Sequence, residues 1–452
     1  MWYLPFLRGG HNMKILFISL GCDKNLVDTE VMLGLLASRG YEMTDDETQA
    51  DVIVINTCCF IHDAKEESIQ NILEMAEYKK RGTVKALIVT GCLAQRYRQE
   101  IIDEIPEVDE VLGTTAYDKI LDAVDAALRG EHEVMLSELD ALPLPDTRRL
   151  VTTGGHFAYL KIAEGCDKHC TYCIIPKIRG NFRSVPMERL VREAQELADQ
   201  GVKELILVAQ ETTLYGKDLY GEKSLHTLLK KLCEISGLRW IRILYCYPEE
   251  ITDELIQVIK EEPKICNYLD LPIQHANDKI LGRMGRRTSK QELVDIIGKL
   301  RSEIPDICLR TTLITGFPGE TQKQHEELME FVDEMEFDRL GVFTYSPEED
   351  TPAAEMPDQI DEEVKLDRQA ELMELQQEIA FDNAQDMVGR EVLVMIEGKV
   401  ADENAYVGRT YRDAPNVDGL IFINTDEELL SGDFARVRVT GAVDYDLIGE
   451  LL

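Results

Sequence analysis

Short apolar runs that alternate with helical patterns constrain the fold of this chain more than any other feature. In the first part of the chain, runs at residues 14–20, 51–56 and 86–90 are each followed by a helical pattern. Nearly continuous apolar strands joined by helices are typical of a parallel sheet that is covered on both faces. We therefore predict an open parallel α/β domain over residues 13–130.

Each of these three runs leads to a cysteine, namely Cys22, Cys58 and Cys92, with Cys59 beside Cys58. Ligands of open α/β sheets bind outside the carboxyl ends of the strands. The spacing therefore predicts that Cys22, Cys58 and Cys92 converge into a site with three thiolates. The alternative is coincidence, because cysteine is common in buried strands.

Six further apolar runs, each with a helical pattern behind it, follow in the middle of the chain. They occupy residues 157–162, 204–209, 240–245, 268–273, 308–315 and 339–345. Parallel strands joined by helices over this length predict a partial TIM-like (β/α)6 barrel over residues 156–381. The active site of such a barrel lies on the loops that follow the strands.

The rest of the chain has different patterns. Residues 382–452 carry five short strand patterns broken by Gly, Asn and Asp, which predict a small closed antiparallel β-barrel of OB-like size. Residues 131–155 contain several Pro and Gly and indicate a linker. Residues 1–12 indicate an N-terminal extension that we expect to be poorly ordered.

A second group of three cysteines lies directly after the first strand of the predicted barrel. Cys166, Cys170 and Cys173 have the spacing C-x3-C-x2-C. An iron–sulfur cluster normally takes four thiolates, so three in one loop indicate a cluster with one position open for another ligand. The alternatives are a zinc loop, for which His169 is poorly placed as fourth ligand, or three buried thiols.

Composition limits the function classes. The net charge of −36 repels polyanions such as RNA and attracts basic partners, although solubility alone could account for much of it. Eleven cysteines without a secretion signal indicate a reducing compartment, which predicts a cytoplasmic protein. No apolar run has the roughly 20 residues of a membrane span.

Polar residues follow two other strands of the predicted barrel. Gln210 follows the second strand, and Gly316-Phe-Pro-Gly319-Glu320 follows the fifth. Glycines there would let the loop approach a ligand closely, but the same residues also suit an ordinary strand-to-helix turn. His275, after the fourth strand, is more often a hydrogen-bonded loop residue than a catalyst.

The run from Cys166 to Cys173 resembles the signature of the radical S-adenosylmethionine (SAM) enzymes. In that family, the open iron of the cluster binds the amino and carboxylate groups of SAM. The aromatic residue before the last cysteine, here Tyr172, lies near the adenine. The resemblance therefore implies a catalytic [4Fe–4S] cluster and SAM as a cofactor.

Further runs extend the resemblance to the methylthiotransferase family of radical SAM enzymes, over nearly the whole chain from about residue 13. The runs lie at residues 19–30, 56–58, 90–92, 164–180 and 316–321. The family pattern selects Cys58 over Cys59, and the terminal barrel resembles a TRAM domain. The resemblance implies a second [4Fe–4S] cluster on Cys22, Cys58 and Cys92 that would hold the transferred sulfur.

The resemblance also implies roles for other residues and for partners. Gln210, Arg310, Gly316, Gly319 and Glu320 would position SAM, with an external electron donor and a sulfur donor completing the reaction. One SAM would methylate the sulfur, and a second would generate the radical that takes a hydrogen from the substrate.

Two branches of the family differ in substrate. Residues 21–27, 271–276 and 414–420 resemble the branch that modifies the β-carbon of an aspartate in the twelfth protein of the small ribosomal subunit. The alternative is methylthiolation of an adenosine in transfer RNA. Residues 382–452 contain 15 Asp and Glu against 6 Lys and Arg, and such an acidic TRAM domain favours a basic ribosomal protein as partner over nucleic acid.

Overall fold

The computed structural model describes residues 13–143, 145–146, 148–401 and 404–452. The extension predicted over residues 1–12 lies outside these residues. The chain forms two compact units. The first comprises the described residues up to Thr152 together with Ile174–Arg183, and the second comprises Thr153–Cys173 and Ser184–Leu452.

The first unit is built on a six-stranded parallel sheet with the order β2-β1-β3-β4-β5-β6. Its elements are β1 (Lys14–Ser19), α1 (Asp23–Ser38), β2 (Glu42–Thr44), β3 (Val52–Thr57), α2 (His62–Lys80), β4 (Ala86–Gly91), α3 (Cys92–Tyr97), α4 (Gln99–Glu104), β5 (Glu110–Leu112), α5 (Ile120–Leu128), β6 (Glu133–Met135) and α6 (Ile175–Arg179).

The sheet is covered on both faces, as its apolar strands predict. In β3, Ile53 and Ile55 pack into one core cluster, while Val52 and Val54 pack into another on the opposite face. The predicted α/β domain is confirmed, but β2, β5 and β6 add strands that the sequence pattern did not reveal, and β6 lies inside the predicted linker. Each has only three residues, too few for a periodic signal.

The second unit contains a six-stranded parallel sheet with the order β14-β13-β12-β11-β10-β7, which confirms the (β/α)6 prediction. The elements of this part of the chain are β7 (Phe157–Lys161), β8 (Ala163–Glu164), β9 (Arg183–Ser184), α7 (Met187–Asp199), β10 (Glu204–Val208), α8 (Lys217–Tyr220), α9 (Leu225–Cys233), β11 (Trp240–Ile243), α10 (Asp253–Glu261), β12 (Ile265–Asp270), α11 (Asp278–Arg283), α12 (Lys290–Glu303), β13 (Cys308–Thr315), α13 (Gln322–Met335), β14 (Arg339–Thr344) and α14 (Glu362–Gln385).

The second unit ends in a closed five-stranded barrel with the order β15-β16-β17-β19-β18. Its strands are β15 (Glu391–Lys399), β16 (Ala405–Arg409), β17 (Ile421–Asn424), β18 (Phe434–Val443) and β19 (Asp446–Leu451). The predicted terminal barrel is confirmed, with one difference. The barrel closes through a parallel pair, β17 with β19, whereas its other pairs are antiparallel.

The terminal barrel packs on the amino ends of the β7–β14 strands. Trp240, which begins β11, stacks edge-on against Phe434 at 4.9 Å between ring centroids. Glu204, which begins β10, forms an ion pair with Arg409 at 2.7 Å. The loop with Cys166, Cys170 and Cys173 follows the carboxyl end of β7, so it lies at the other end of the same strands, about 15–20 Å away along the strand direction.

Within the described part of the chain, no helix is both long enough and apolar enough to cross a membrane.

Candidate active site

The first group of cysteines is assembled by three neighbouring strands. Cys22 precedes α1 after β1, Cys58 directly follows β3, and Cys92 begins α3 after β4. Because β1, β3 and β4 are adjacent and parallel, the three thiols meet at one edge of the sheet. Burial, together with smaller effects of the nearby Cys92 and Cys22, raises the pKa of the Cys58 thiol to about 12. The site is therefore a compact set of three sulfur donors.

The backbone around this site is held by one asparagine side chain. Asn25 Nδ2 donates to the carbonyl of Leu20 at 3.0 Å and to that of Thr57 at 2.9 Å. These bonds tie the turn after β1 to the end of β3. The positions of Cys22 and Cys58 are thus fixed by hydrogen bonds that do not involve the thiols.

Gly21 makes this close approach possible. Its φ is +87°, and a Cβ there would stand 2.6 Å from Cys58 Cβ. Gly21→Ala is expected to push these two segments apart and to reduce the iron bound at this site, with a stability loss of about 1–3 kcal/mol from backbone strain. Iron content after anaerobic reconstitution and denaturant unfolding measure the two effects.

Gly40→Ala is the matched control for Gly21→Ala. Gly40 has nearly the same φ, +89°, but a Cβ there would meet nothing within 4 Å. Gly40→Ala should show the loss of stability from backbone strain without the loss of iron. Equal iron loss in both variants would show that the contact with Cys58 is unimportant.

Cys59 is set apart from its neighbour. Its side chain is fully buried in the core cluster that includes Ile55 and Leu93. Burial raises the pKa of its thiol, and the nearby Cys92 raises it further. This environment suits a small apolar core residue.

Arg179 reaches the first site, although no sequence pattern gave it a role there. Its side chain is 2% exposed. Nη1 donates to Asp28 Oδ2 at 2.9 Å, and Nη2 contacts both Asn25 Oδ1 and Cys92 Sγ, the latter at 3.5 Å. Its position in the Ile178-Arg179-Gly180 run just after the second cysteine group was the available signal.

The second group of cysteines lies in the loop after β7 and β8. Cys166 and Cys170 are buried and Cys173 is partly exposed. Thr171, between them, donates its N–H to the Met284 carbonyl at 2.9 Å and its hydroxyl to the Arg283 carbonyl at 2.8 Å. Burial raises the pKa of the Cys166 thiol to about 12, so a metal would be needed to hold it as a thiolate.

Cationic and aromatic groups surround this loop. Lys168 Nζ lies 2.5 Å from Glu250 Oε1 and 4.8 Å from the centroid of the Tyr247 ring. The Arg286 guanidinium lies 4.4 Å from the same centroid. The Tyr247 hydroxyl is 4.0 Å from Cys170 Sγ. Tyr247 and Arg286 come from distant loops, so no local sequence pattern indicated them.

Tyr172 directly precedes Cys173, and its side chain is partly exposed. Its ring packs edge-on against Phe317 at 6.5 Å between centroids. This contact joins the cysteine loop to the Gly316–Glu320 loop. In that loop, the Cα of Gly316 abuts the Lys365 side chain and that of Gly319 abuts Arg283.

The Glu320 side chain stabilises this loop by accepting hydrogen bonds from its backbone. Its Oε2 accepts the N–H groups of Gly316 at 2.9 Å and Phe317 at 3.3 Å, and its Oε1 accepts from Arg368 at 3.0 Å. Burial works against ionisation, but the nearby His275, with Nε2 3.6 Å from Oε2, and the charge of Arg368 lower the pKa of Glu320. The carboxylate is therefore engaged by the protein itself, and it would affect a ligand through the loop conformation.

The side-chain oxygen of Gln210 is a buried hydrogen-bond acceptor. Its Nε2 donates to Glu164 Oε1 at 2.8 Å, whereas its buried Oε1 has no hydrogen-bond partner among the described residues. An orphaned buried acceptor at the carboxyl end of β10 fits a ligand that carries a donor, such as an ammonium group.

Arg310 is not brought to this end of the barrel. It is the third residue of β13, about 16 Å along the strand from Thr315. Its Nη1 donates to Asp270 at 2.9 Å, and its Nε lies 3.4 Å from Asp418 of the terminal barrel. The geometry makes it an anchor for that barrel and separates it from Gln210 and the Gly316–Glu320 loop.

Each cysteine group offers the kind of donor, cysteine sulfur, that an iron–sulfur cluster takes. Across the described residues, no group of three or more His, Cys, Asp or Glu is arranged to hold one metal ion. In a cubane cluster each thiolate binds a different iron, so its three sulfur ligands stand farther apart than the ligands of one ion. Each of the two groups offers three thiols for such a cluster: Cys22 and Cys173 are partly exposed, and the other four are buried.

The sequence matches three known families in order. Residues 14–113 match the family described as "Uncharacterized protein family UPF0004", residues 160–332 match the radical SAM superfamily, and residues 388–452 match the TRAM domain.

Curated relatives are similar over almost the whole length. The chain is 67% identical over 437 residues to the ribosomal protein uS12 methylthiotransferase RimO of Lachnoclostridium phytofermentans, covering 97% of this chain and 99% of that protein. It is 49% identical over 441 residues to the protein of the same name from Clostridioides difficile, covering 97% and 99%.

Among solved structures, the radical SAM methyltransferase TsrM of Kitasatospora setae, with cobalamin and a [4Fe-4S] cluster bound, aligns with a TM-score of 0.54 at 12% identity. The alignment covers 88% of this chain and 80% of TsrM. At this identity the likeness shows the fold alone.

Proposed function

Because the chain belongs to the ribosomal protein uS12 methylthiotransferases, a family of radical SAM transferases, we propose that it adds a methylthio group to the β-carbon of an aspartate in uS12 with two iron–sulfur sites. When bound, the clusters and SAM would supply the sulfur, the methyl group and the radical that removes hydrogen from that carbon, which has no useful acidity.

The observation that carries this proposal is the pair of three-thiol sites. Each lies at the carboxyl end of parallel strands, and each offers three cysteines to a cluster that normally takes four. Cys22, Cys58 and Cys92 would hold one cluster, and Cys166, Cys170 and Cys173 the other. The open position of each would accept the sulfur and SAM, respectively.

We assign the binding of SAM to residues around the second site. The orphaned Gln210 Oε1 would accept from its amino group, and Tyr172, backed by Phe317, would contact the adenine. The Gly316–Glu320 loop would border the same ligand, with Glu320 maintaining the loop conformation. We do not include Arg310 among these residues, because Asp270 and Asp418 hold its side chain near the amino end of β13.

The charge of the terminal barrel supports a basic protein substrate. Of the six Lys and Arg in residues 382–452, four are paired with carboxylates: Arg409 with Glu204, Arg412 with Asp338, and Arg436 and Arg438 with Glu391. RNA binding depends on cations that neutralise phosphates. Since this barrel is about 15–20 Å from the second site along the strands, it would attract uS12 by long-range charge.

A substrate comparison tests the proposed function. Anaerobically reconstituted protein with SAM, sulfide and a reductant would be given purified uS12 and, separately, unmodified transfer RNA. We expect mass spectrometry to find a methylthio group on an aspartate of uS12. Modification of adenosine in the transfer RNA, with uS12 left unmodified, would contradict the substrate assignment while leaving the two-site chemistry intact.

A further inference from the structure

Arg179 is a buried cation at the first cysteine group. We propose that Arg179 is a positioning residue of this site: Asp28 holds one arm of its guanidinium, and the other arm donates a hydrogen bond to Cys92 Sγ and thereby raises the reduction potential of the cluster bound there. This inference rests on the proposed function, because it requires a cluster on Cys22, Cys58 and Cys92.

The geometry of Arg179 is fixed from several sides. Thr114 Oγ1 donates to the carbonyl of the preceding Ile178 at 2.7 Å, and Ile178 itself is buried in the core of the first unit. Arg183 Nη2 donates to the carbonyl of Arg179 at 3.0 Å. With its backbone anchored on both sides and one arm on Asp28, the guanidinium has little freedom to turn away from Cys92.

Burial strengthens the electrostatic effect of the contact between Arg179 and Cys92. Arg179 and Asp28 are 2% and 4% exposed, so solvent screens their charges poorly. A fixed donor and positive charge beside a ligand sulfur stabilise the more negative, reduced form of an iron–sulfur cluster.

The position of Arg179 in the sequence adds a second point. It comes six residues after Cys173, so one continuous stretch supplies the last cysteine of the second group and the arginine of the first. The same short stretch would therefore contribute to both proposed clusters.

The test separates the two clusters first. A full-length parent with Cys166, Cys170 and Cys173 all changed to alanine would carry the first cluster alone. In this parent, Arg179→Gln and Arg179→Lys would be reconstituted, their iron counted, and their clusters titrated with reductant under electron paramagnetic resonance.

We expect Arg179→Gln to lower the ratio of reduced to oxidised cluster at a fixed potential by about tenfold, which is 59 mV for a one-electron couple. Arg179→Lys should give a ratio between those of the parent and Arg179→Gln. An ammonium group keeps the positive charge, but it cannot bind Asp28 and the sulfur at the same time as the planar guanidinium does.

Arg149→Gln is the matched control. Arg149 is a buried arginine of the same unit. Its Nε lies 3.1 Å from Oε2 of Glu30, which is on α1, the helix that also carries Asp28. Arg149→Gln shows what the loss of a buried ion pair with α1 does to the potential. An equal shift in Arg149→Gln, or no shift in Arg179→Gln, would overturn the inference while the proposed function stands.

Two other outcomes also decide it. If the parent binds no iron, the first cluster does not exist, and the proposed two-site function fails together with the inference. If the parent and Arg149→Gln bind iron but both Arg179 variants do not, Arg179 builds the site and does not tune it, and the inference is again overturned.

Discussion

Cys170→Ala is expected to abolish both 5′-deoxyadenosine formation and methylthio transfer, whereas Cys22→Ala is expected to abolish only methylthio transfer. Cys170 belongs to the group in the loop after β7, and Cys22 to the group at the edge of the first sheet. If the second group binds SAM and the first holds the sulfur, the two functions separate by site. Each loss should be at least about a thousandfold, or about 4 kcal/mol of transition-state stabilisation.

The measurement is chromatography of the reaction for 5′-deoxyadenosine, together with mass spectrometry of uS12. Retention of methylthio transfer in Cys22→Ala would show that the first group does not hold the sulfur. Loss of 5′-deoxyadenosine in Cys22→Ala, with the second cluster still present by iron content, would contradict the separation of functions.

Cys59→Ala is the control for the first group, because Cys59 neighbours Cys58 but is buried in the core. We expect this variant to lose about 1 kcal/mol of stability from the smaller side chain and to retain both activities. Its comparison with Cys58→Ala tests which of the two adjacent cysteines is the ligand.

The sequence predicted the convergence of these cysteines because strand ends carry positional information. Continuous apolar runs identified β1, β3 and β4, and the carboxyl ends of adjacent parallel strands meet at one edge. The predicted strand at residues 308–315 coincides with β13, and that at residues 405–409 with β16. Long strands with flanking turn residues are the elements that local patterns specify best.

What the sequence could not supply were contacts between distant residues. Arg179 and Asp28 are 151 positions apart, and no local pattern joins them. Arg310 was assigned to SAM from the family resemblance. Its distance from the strand's carboxyl end and its pairing with Asp418, 108 positions later in the sequence, depend on how the terminal barrel packs.

The packing of the terminal barrel depends on a buried charge cluster. Glu204, at 0% exposure, accepts from Arg242 Nε and from Arg409 Nη2, both at 2.7 Å. Arg242 Nη1 also donates to the carbonyl of Tyr411 at 2.6 Å. The only carboxylate that bridges these two buried arginines in the described structure is that of Glu204.

Glu204→Gln is therefore expected to destabilise the second unit by about 3–5 kcal/mol, because it leaves the buried guanidinium of Arg242 without a counter-charge and that of Arg409 with Glu397 alone. Denaturant unfolding followed by the fluorescence of Trp240 measures this, since Trp240 stacks on Phe434 at the same junction. The other tryptophan of the chain, Trp2, would be changed to Phe in all proteins compared.

Glu391→Gln is the matched control, because Glu391 also bridges two arginines, Arg436 and Arg438, but on the exposed surface of the same barrel. Solvent screens these pairs, so little change in stability is expected. A similar loss of stability in both variants, or no loss in Glu204→Gln, would show that burial of the charge cluster does not stabilise the packing of the terminal barrel.

The pH dependence gives a second measure of Glu204. Burial works against its ionisation, but Arg409 and Arg242 together lower its pKa below the ordinary value of 4.5. The native state thus binds this proton less tightly than the unfolded chain does. The stabilisation is complete above about pH 4.5 and is lost as the pH falls through the lowered native pKa. Glu204→Gln should remove this part of the acid dependence, and an unchanged acid limb in the variant would assign it to other carboxylates.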